Sequence, residues 1–361
     1  MWVYFILMLF LIFCSAYNGR GKFKLCLSGT LLAILMGFKN VTVGNDTPNY
    51  IEFFLRLKNM SSFVDNSSRF EKGFQIYTKI IGMLFDSYQA LFIISAVFCI
   101  ACICFGIYKN SKNWQYSLFL FVGLRFYYFF LSGLRQSIAV SIIFVAYVFL
   151  KENRKKLFII LVLLASTFHF SAWIFLLALP LSKFKLDEIA IPKILLITFL
   201  IYVLFNPILS FFLSHMPIYY SHYLVTKAAS ANNLADFINA IIPCLFLLVA
   251  KTTGFNLNKD EENIKNNSTF IYSDKDIQML FLLISAGLSF IATRASILDR
   301  MVQYYWIFSI ITIPNIIFSI KDKRTRTIWY LIITSFVIVY NLTILLLRPE
   351  WNAIVPYSFF W

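Results

Sequence analysis

Two apolar runs between residues 132 and 172 carry polar side chains that are suited to chemistry. Arg135 and Gln136 stand at the head of the first run, and His169 lies in the middle of the second. An ionisable side chain at membrane depth costs about 2.5–3.5 kcal/mol on insertion scales, so it is usually kept for a task. A guanidinium can bind a phosphate through two parallel hydrogen bonds, and an imidazole can transfer protons near neutral pH. The structural alternatives are an arginine that reaches the lipid headgroups and a histidine that is bonded to a backbone carbonyl.

Two acidic side chains in the polar stretch that precedes these runs are candidate general bases. Asp46 lies in the sequence GNDTPNY, and Glu71 lies in the sequence FEKG. Either carboxylate could accept a proton from a reacting hydroxyl. The structural alternative for Asp46 is that it, or Thr47, caps a helix that begins near Pro48.

A third group of candidates flanks the short turn TRASILDR. Arg294 and Arg300 stand at its two ends, and Arg300 shares a helix face with Tyr304 because the two residues are four positions apart. Together with Arg135, these side chains could form a basic pocket for a pyrophosphate or an acidic sugar. The structural alternative is that Asp299 pairs with a neighbouring arginine.

The composition places these residues in an all-α integral membrane protein. Of the 361 residues, 60% are hydrophobic and only 14% are charged, whereas soluble domains average about 25% charged residues. The formal net charge of +15 comes from 32 basic and 17 acidic residues. The basic residues fall mainly in short connections between apolar runs, as the positive-inside rule predicts, so we expect no nucleic-acid partner.

The distribution of apolar runs predicts a multi-pass protein with about ten transmembrane helices and with both termini outside. Residues 1–361 form a single integral membrane domain in this prediction. Residues 39–88 are expected to form an external loop that contains an amphipathic helix, with apolar residues at helical spacing from Phe74 to Leu84. Arg125 is expected at mid-depth in a continuous span over residues 117–131.

In the second half of the chain, the basic segments all fall on the cytoplasmic side only if one apolar segment returns to the side from which it entered. Residues 157–181 are predicted to be a re-entrant pair of half-helices that is broken between Ser166 and Ser171. The alternative is that this segment spans the membrane once. Residues 194–213 are expected to form one continuous span, and residues 251–276 a cytoplasmic loop.

At these motifs the chain resembles the EpsG family of bacterial exopolysaccharide, capsule and O-antigen proteins, which are regarded as Wzy-like repeat-unit polymerases. The matching segments are GNDTPNY, FEKGF, SGLRQSIAVSI, TFHFSA, the RASILDR turn and the terminal WNAIVPYSFFW. The family commonly has proline in the histidine motif, where this chain has Phe170. The resemblance implies functional roles for Asp46, Tyr50, Glu71, Arg135, Gln136, His169 and Arg300. To these the sequence pattern adds Arg294, Tyr304 and Arg348.

The resemblance implies a glycosyltransferase of the bacterial cytoplasmic (inner) membrane that polymerises undecaprenyl-pyrophosphate-linked oligosaccharide repeat units on the outer face. His169, Asp46 and Glu71 would then be the catalytic candidates, and the arginines, Gln136 and the tyrosines would bind substrate. Because the pyrophosphate already activates the donor, no cofactor is expected, and no ligand cluster indicates a metal. The expected partners are the lipid-linked oligosaccharides, membrane lipids and other polysaccharide assembly proteins. The main alternative is a transporter or flippase with a basic polar path. A non-catalytic scaffold and an acyltransferase are further alternatives.

Overall fold

The computed structural model describes residues 1–183, 190–215, 233–253, 255, 274–295 and 298–361. As predicted, this part of the chain is helical and contains no β-strand. The helices of the first half are α1 Trp2–Asn18, α2 Lys22–Gly37, α3 Thr47–Asn59, α4 Lys72–Leu84, α5 Gln89–Asn110, α6 Trp114–Gly123, α7 Phe126–Ser132, α8 Leu134–Lys151 and α9 Lys155–Phe168. After a 3-10 helix over Phe170–Leu177 follow α10 Ala178–Leu181, α11 Ala190–Val203, α12 Phe205–His215, α13 Asn233–Thr252, α14 Asp274–Ala292, α15 Asp299–Trp306, α16 Ser309–Ile317 and α17 Lys323–Leu347.

Three of the described helices are long and apolar enough to cross a membrane by themselves: α5, α8 and α17. The bent pair of α11 and α12 would add a fourth span if it is counted as one. Several other helices, such as α1, are apolar but have 10–17 residues, fewer than the roughly 20 that a typical bilayer core requires. The chain is therefore an all-α protein with membrane-spanning helices, and the number of about ten spans stays a prediction.

The chain divides into two compact units, Met1–Trp173 with Ile317–Trp361, and Ile174–Ile316. The description of residues 1–361 as a single membrane domain stays a prediction. Most of the predicted cytoplasmic loop 251–276 lies outside the described residues, as do positions 296 and 297 of the TRASILDR turn.

In the first unit, short basic connections between apolar helices contact one another. Lys151, the last residue of α8, donates a hydrogen bond to the Asn110 side chain at the end of α5, over 2.9 Å. Lys112, between α5 and α6, donates one to Ser319 before α17, over 2.7 Å. These basic connections therefore lie together, while the side of the membrane on which they lie stays a prediction.

The connections predicted to be external also meet in the first unit, through the C-terminal tail. The tail lies along the α2–α3 loop, and the backbone N–H of Asn40 donates to the Ser358 carbonyl over 2.9 Å. In the same way, the Gly44 N–H donates to the Ala353 carbonyl over 2.8 Å. The segment GNDTPNY and the terminal segment WNAIVPYSFFW are therefore neighbours in space.

Two predicted apolar segments of the first unit are interrupted in the structure. The expected continuous span over residues 117–131 is divided into α6 and α7 at Arg125, whose φ of 73° lies in the left-handed region. In the second segment, α9 ends at Phe168 and His169 adopts an extended backbone with φ −150° and ψ 114°. This break falls inside the predicted interval from Ser166 to Ser171, while the re-entrant course of residues 157–181 stays a prediction.

The second unit contains a bend that the sequence analysis did not predict. The expected continuous span over residues 194–213 is two helices, α11 and α12, which meet at an angle of 66°. Pro207 accounts for the bend because it has no N–H to donate to Val203 and its ring crowds that carbonyl group. Beside the bend, Phe205 packs with Ile291 and Ala295 in a small apolar cluster.

The amphipathic helix predicted in residues 39–88 is present as α4, and a second helix, α3, packs against it. Phe74 and Ile81 of α4 are buried in the protein, whereas Ile80, Met83 and Leu84 are exposed, Leu84 by 70%. An exposed row of large apolar side chains on a short helix is typical of a helix that lies at a membrane surface.

Candidate functional site

An ion pair between Glu71 and Arg135 forms the centre of the candidate site. Glu71 directly precedes α4, and Arg135 is the second residue of α8. Glu71 makes no capping hydrogen bond to its own helix, because its carboxylate instead accepts a hydrogen bond from Arg135 Nη1 through Oε2. Both side chains are largely buried, with 22% and 16% of their surface exposed. Because each charge has lost most of its water, each depends on the other.

Aromatic side chains enclose the guanidinium of Arg135. Its central carbon lies 4.4 Å from the centre of the Phe70 ring, a cation–π distance. The hydroxyl of Tyr50, on α3, lies 3.5 Å from the Arg135 backbone nitrogen. Tyr50 is itself buried against Phe70 and Phe74, and this burial raises the pKa of its hydroxyl. Tyr50 of α3 and the segment that directly precedes α4 thus hold the start of α8, where Arg135 lies.

The histidine motif meets the same ion pair. The backbone N–H of Phe170 donates to Glu71 Oε1 over 3.1 Å, which a proline at this position could not do. His169, only 7% exposed, has its Nδ1 atom 2.7 Å from Ser171 Oγ. The end of α9 approaches α4 closely, since a Cβ on Gly73 would lie 2.7 Å from the Thr167 carbonyl oxygen. The sequence candidates Tyr50, Glu71, Arg135 and His169 are therefore brought together.

A buried lysine anchors the GNDTPNY loop beside this site. Lys39 is 4% exposed, and its ammonium donates hydrogen bonds to the Val43 carbonyl (3.0 Å), to Thr47 Oγ1 (2.6 Å) and to the Leu131 carbonyl. Burial lowers the pKa of Lys39 to about 7, and the negative charge of Asp46 opposes the shift in part. Since Leu131 stands four residues before Arg135, Lys39 ties the loop to the start of α8.

Asp46 occupies the N-cap position of α3, which was the structural alternative for this residue. Its side chain is exposed and makes no capping hydrogen bond, so the cap assignment holds for the backbone only. Thr47 uses its hydroxyl to donate to the Val43 carbonyl over 2.6 Å. The carboxylate of Asp46 faces solvent at the edge of the loop, one helical turn before Tyr50.

Gly44 is a position of the loop where any side chain is expected to be costly. Its φ is +97°, and an added Cβ would lie 2.8 Å from Thr47 Oγ1 and 3.1 Å from Lys39 Nζ. We expect Gly44→Ala to destabilise the protein by about 1–3 kcal/mol, because the backbone would be strained and the lysine displaced. Gly82→Ala is the matched control, since Gly82 is in α4 with only ordinary contacts from 3.4 Å. It should raise the stability by about 0.5–1 kcal/mol. Thermal unfolding in detergent measures both, and equal effects would refute the role of Gly44.

A second cationic cluster lies where the C-terminal tail crosses the loop. The guanidinium carbon of Arg125 is 4.8 Å from the centre of the Trp351 ring, and that of Arg348 is 5.9 Å away. Arg348 Nη1 also lies 3.8 Å from Glu350, with both side chains exposed. Asn45 Nδ2 donates to the Trp351 carbonyl over 2.9 Å. The predicted binding residue Arg348 therefore belongs to this cluster and not to the ion pair.

The remaining sequence candidates are placed as follows. Gln136 is buried in α8 next to Arg135. Arg294, Arg300 and Tyr304 belong to the second compact unit, where Arg294 stacks on Tyr202 at 4.3 Å. Arg300 and Tyr304 are both on α15, as the spacing predicted, but Arg300 is exposed and Tyr304 is fully buried. Their roles in substrate binding stay predictions.

Four residues of these clusters were not among the sequence candidates: Lys39, Phe70, Arg125 and Trp351. Lys39 directly follows an apolar run, where a lysine is normally interpreted as facing the headgroups. Arg125 carried the clearer signal, because an arginine in the middle of an apolar run is expensive unless it faces a polar interior.

The site combines a fixed cation, a carboxylate and an imidazole, a set that can bind an anion and move a proton. Among the described residues, no group of three or more His, Cys, Asp or Glu side chains is placed to hold a metal ion.

Comparison with known proteins identifies the family. The profile of the EpsG family matches residues 22–359, nearly the whole chain. No curated protein and no solved structure matches the chain significantly. The matched range includes GNDTPNY, FEKG, SGLRQ and TFHFSA, the segments that meet around Arg135. The chain belongs to the EpsG family.

Proposed function

We propose that this chain is a membrane-embedded glycosyltransferase that polymerises undecaprenyl-pyrophosphate-linked oligosaccharide repeat units. Its membership of a Wzy-like polymerase family supports a role in polysaccharide biosynthesis. The observation that carries the proposal is the ion pair of Glu71 and Arg135, which is enclosed by aromatic rings and joined to the histidine motif.

The reaction requires a base for the acceptor and a cation for the leaving group. A hydroxyl of one repeat unit attacks the anomeric carbon of the growing polysaccharide chain. A new C–O bond forms at this carbon, and the C–O bond from the same carbon to undecaprenyl pyrophosphate breaks. His169 is the proposed base, because the Glu71 carboxylate already accepts hydrogen bonds from Arg135 and Phe170. Arg135 stabilises negative charge that develops on the departing oxygen. The imidazole accepts the proton of the attacking hydroxyl. The electron pair of the broken C–O bond leaves with undecaprenyl pyrophosphate.

The proposed site faces the outer side of the bacterial cytoplasmic membrane, with both termini outside. Support comes from the contacts of the first unit, in which the C-terminal tail, the α2–α3 loop and the Glu71 segment all adjoin. We propose that the shorter apolar helices, such as α1 and α2, also cross the bilayer and bring the total to about ten spans.

Helix breaks also occur in transporters, which makes a flippase the second candidate. The bend between α11 and α12 and the break at His169 are the observations that favour it. Transport requires that a lipid-linked unit changes its side of the membrane, whereas polymerisation requires that its chain grows. A single preparation can therefore separate the two functions.

The deciding experiment uses proteoliposomes with a defined lipid-linked repeat unit on the accessible outer-equivalent face. We expect the wild-type protein to produce a ladder of chain lengths on a gel and to release one undecaprenyl pyrophosphate per bond. His169→Ala should slow the ladder by about 10²-fold or more through loss of the base. Ser171→Ala, which removes the contact to Nδ1 and keeps the imidazole, should cost much less. Movement of the unit across the bilayer without chain growth would refute the polymerase and establish the transporter.

A further inference from the structure

The left-handed backbone of Arg125 marks a position where the chain keeps an arginine although glycine would fit better. Its φ of 73° and ψ of 7° fall in a region that side chains with a Cβ rarely adopt. The residue interrupts an apolar segment, and broken helices within membranes are tolerated where they line a polar cavity. Strained residues of this kind cluster at functional sites. The guanidinium of Arg125, and not its backbone, is therefore the property that needs an explanation.

The guanidinium is held over an aromatic ring instead of a carboxylate. Its carbon lies 4.8 Å from the centre of Trp351, and among the described residues its buried Nε atom has no hydrogen-bond partner. Arg348 approaches the same ring at 5.9 Å. The carboxylate near Arg348 is that of Glu350, which at 3.8 Å between exposed side chains offsets little of its charge. Two arginines with little compensation thus converge on one tryptophan.

Arg135 and Lys39 differ from Arg125 and Arg348 in how their charge is balanced by carboxylates. Arg135 is neutralised by Glu71, and Lys39 lies near the carboxylate of Asp46. A pyrophosphate diester carries two negative charges on two phosphorus centres, and each centre can bind one guanidinium through two hydrogen bonds. The pair of Arg125 and Arg348 supplies one guanidinium for each phosphorus centre, whereas Arg135 supplies a single guanidinium, which the proposed mechanism assigns to the departing oxygen.

We infer that Arg125, Trp351 and Arg348 form a binding site for the pyrophosphate group of a polyprenyl-linked donor. The identity of the donor rests on the proposed function, but binding of a pyrophosphate does not. Both guanidiniums contact the ring of Trp351, and the carbonyl of this residue is fixed by Asn45, which precedes Asp46 in the loop. The loop therefore joins this binding site to the ion pair of Glu71 and Arg135.

The test measures binding of geranylgeranyl pyrophosphate to the full-length protein in detergent by isothermal titration. Arg125→Gly removes the guanidinium while glycine accepts the left-handed backbone, so thermal stability should be equal or higher. We expect this variant to bind the pyrophosphate at least about 10-fold more weakly. Geranylgeraniol, which has the same chain without phosphate, should bind both proteins equally. The matched control is Arg324→Gln, an exposed arginine near the start of α17, and its binding should equal that of the wild type.

Three results would overturn the inference. Unchanged pyrophosphate binding by Arg125→Gly is the first, and an equal loss of geranylgeraniol binding, which would indicate a structural role, is the second. The third is displacement of the pyrophosphate by phosphatidylglycerol at equal concentration, since the cluster would then be a lipid headgroup site. Because the readout is binding, a protein that binds the pyrophosphate as expected but builds no polymer would refute the proposed function alone.

Discussion

Arg135→Ala is expected to slow polymerisation by about 10²- to 10³-fold, the range that follows loss of one charge-stabilising group in a dry site. The substitution also leaves the Glu71 carboxylate largely buried without its cation, which should destabilise the protein by on the order of 3 kcal/mol. Activity is measured as ladder growth per folded protein, and stability as thermal unfolding in detergent. The two readouts must be taken together, because an unfolded variant also makes no ladder.

A double-mutant cycle separates the two effects. The cycle compares the wild type with Glu71→Gln, Arg135→Ala and their combination. The combination removes both charges, so its stability should exceed that of Arg135→Ala while activity stays low. Arg56→Ala is the matched control, since Arg56 pairs with Asp65 at 3.1 Å at the end of α3 but is half exposed. It should leave the ladder unchanged. Wild-type ladder growth by a folded Arg135→Ala protein would remove Arg135 from the mechanism.

The residues of the ion pair could be predicted from the sequence, but their pairing could not. Glu71 and Arg135 each stood out because they carry charge next to apolar helices. They are 64 positions apart, however, and the contact depends on how α3, α4 and α8 pack. The same holds for His169, whose neighbour Phe170 reaches Glu71 across 99 positions. The apolar periodicity of a single sequence describes one helix at a time, so it gives no distance between residues of different helices.

The helices themselves were largely predictable because apolar runs in membranes must satisfy their backbone hydrogen bonds internally. The interruptions of the predicted spans differed in how clearly the sequence marks them. Pro207 provides a local reason for the bend after α11, and the sequence analysis overlooked it. At the second break, Gly123 ends α6, but the residue with the left-handed backbone is Arg125, which has no such preference of its own. Lys39 was missed for a related reason, because its three acceptors come from two separate segments.

Lys39→Met is expected to be the most destabilising substitution in the loop. Methionine can replace the apolar stem of the lysine, but it removes the lysine donor from the Leu131 carbonyl and the Thr47 hydroxyl, while the Val43 carbonyl keeps the hydrogen bond from Thr47. Buried groups that lose a partner cost about 1–3 kcal/mol each, so a loss of roughly 3 kcal/mol at pH 8 is a conservative expectation. Polymerisation should fall as well, because the loop is then detached from the segment that leads into Arg135. Lys58→Met, which removes an ammonium from a surface pair with Asp86, should change both properties little.

The destabilisation caused by Lys39→Met should also grow with pH. Burial lowers the pKa of Lys39 from 10.5 to about 7 in the folded protein. Between these two values the unfolded chain binds a proton that the folded chain does not, so the stability of the wild type rises with pH by up to about 1.4 kcal/mol per unit relative to the variant. Below pH 7 both states are charged, and this dependence vanishes. Unfolding temperatures of the two proteins at pH 6, 7, 8 and 9 should therefore diverge only above neutrality. A constant gap over this range would mean that Lys39 remains an ammonium in the folded protein, held charged by its three acceptors and Asp46.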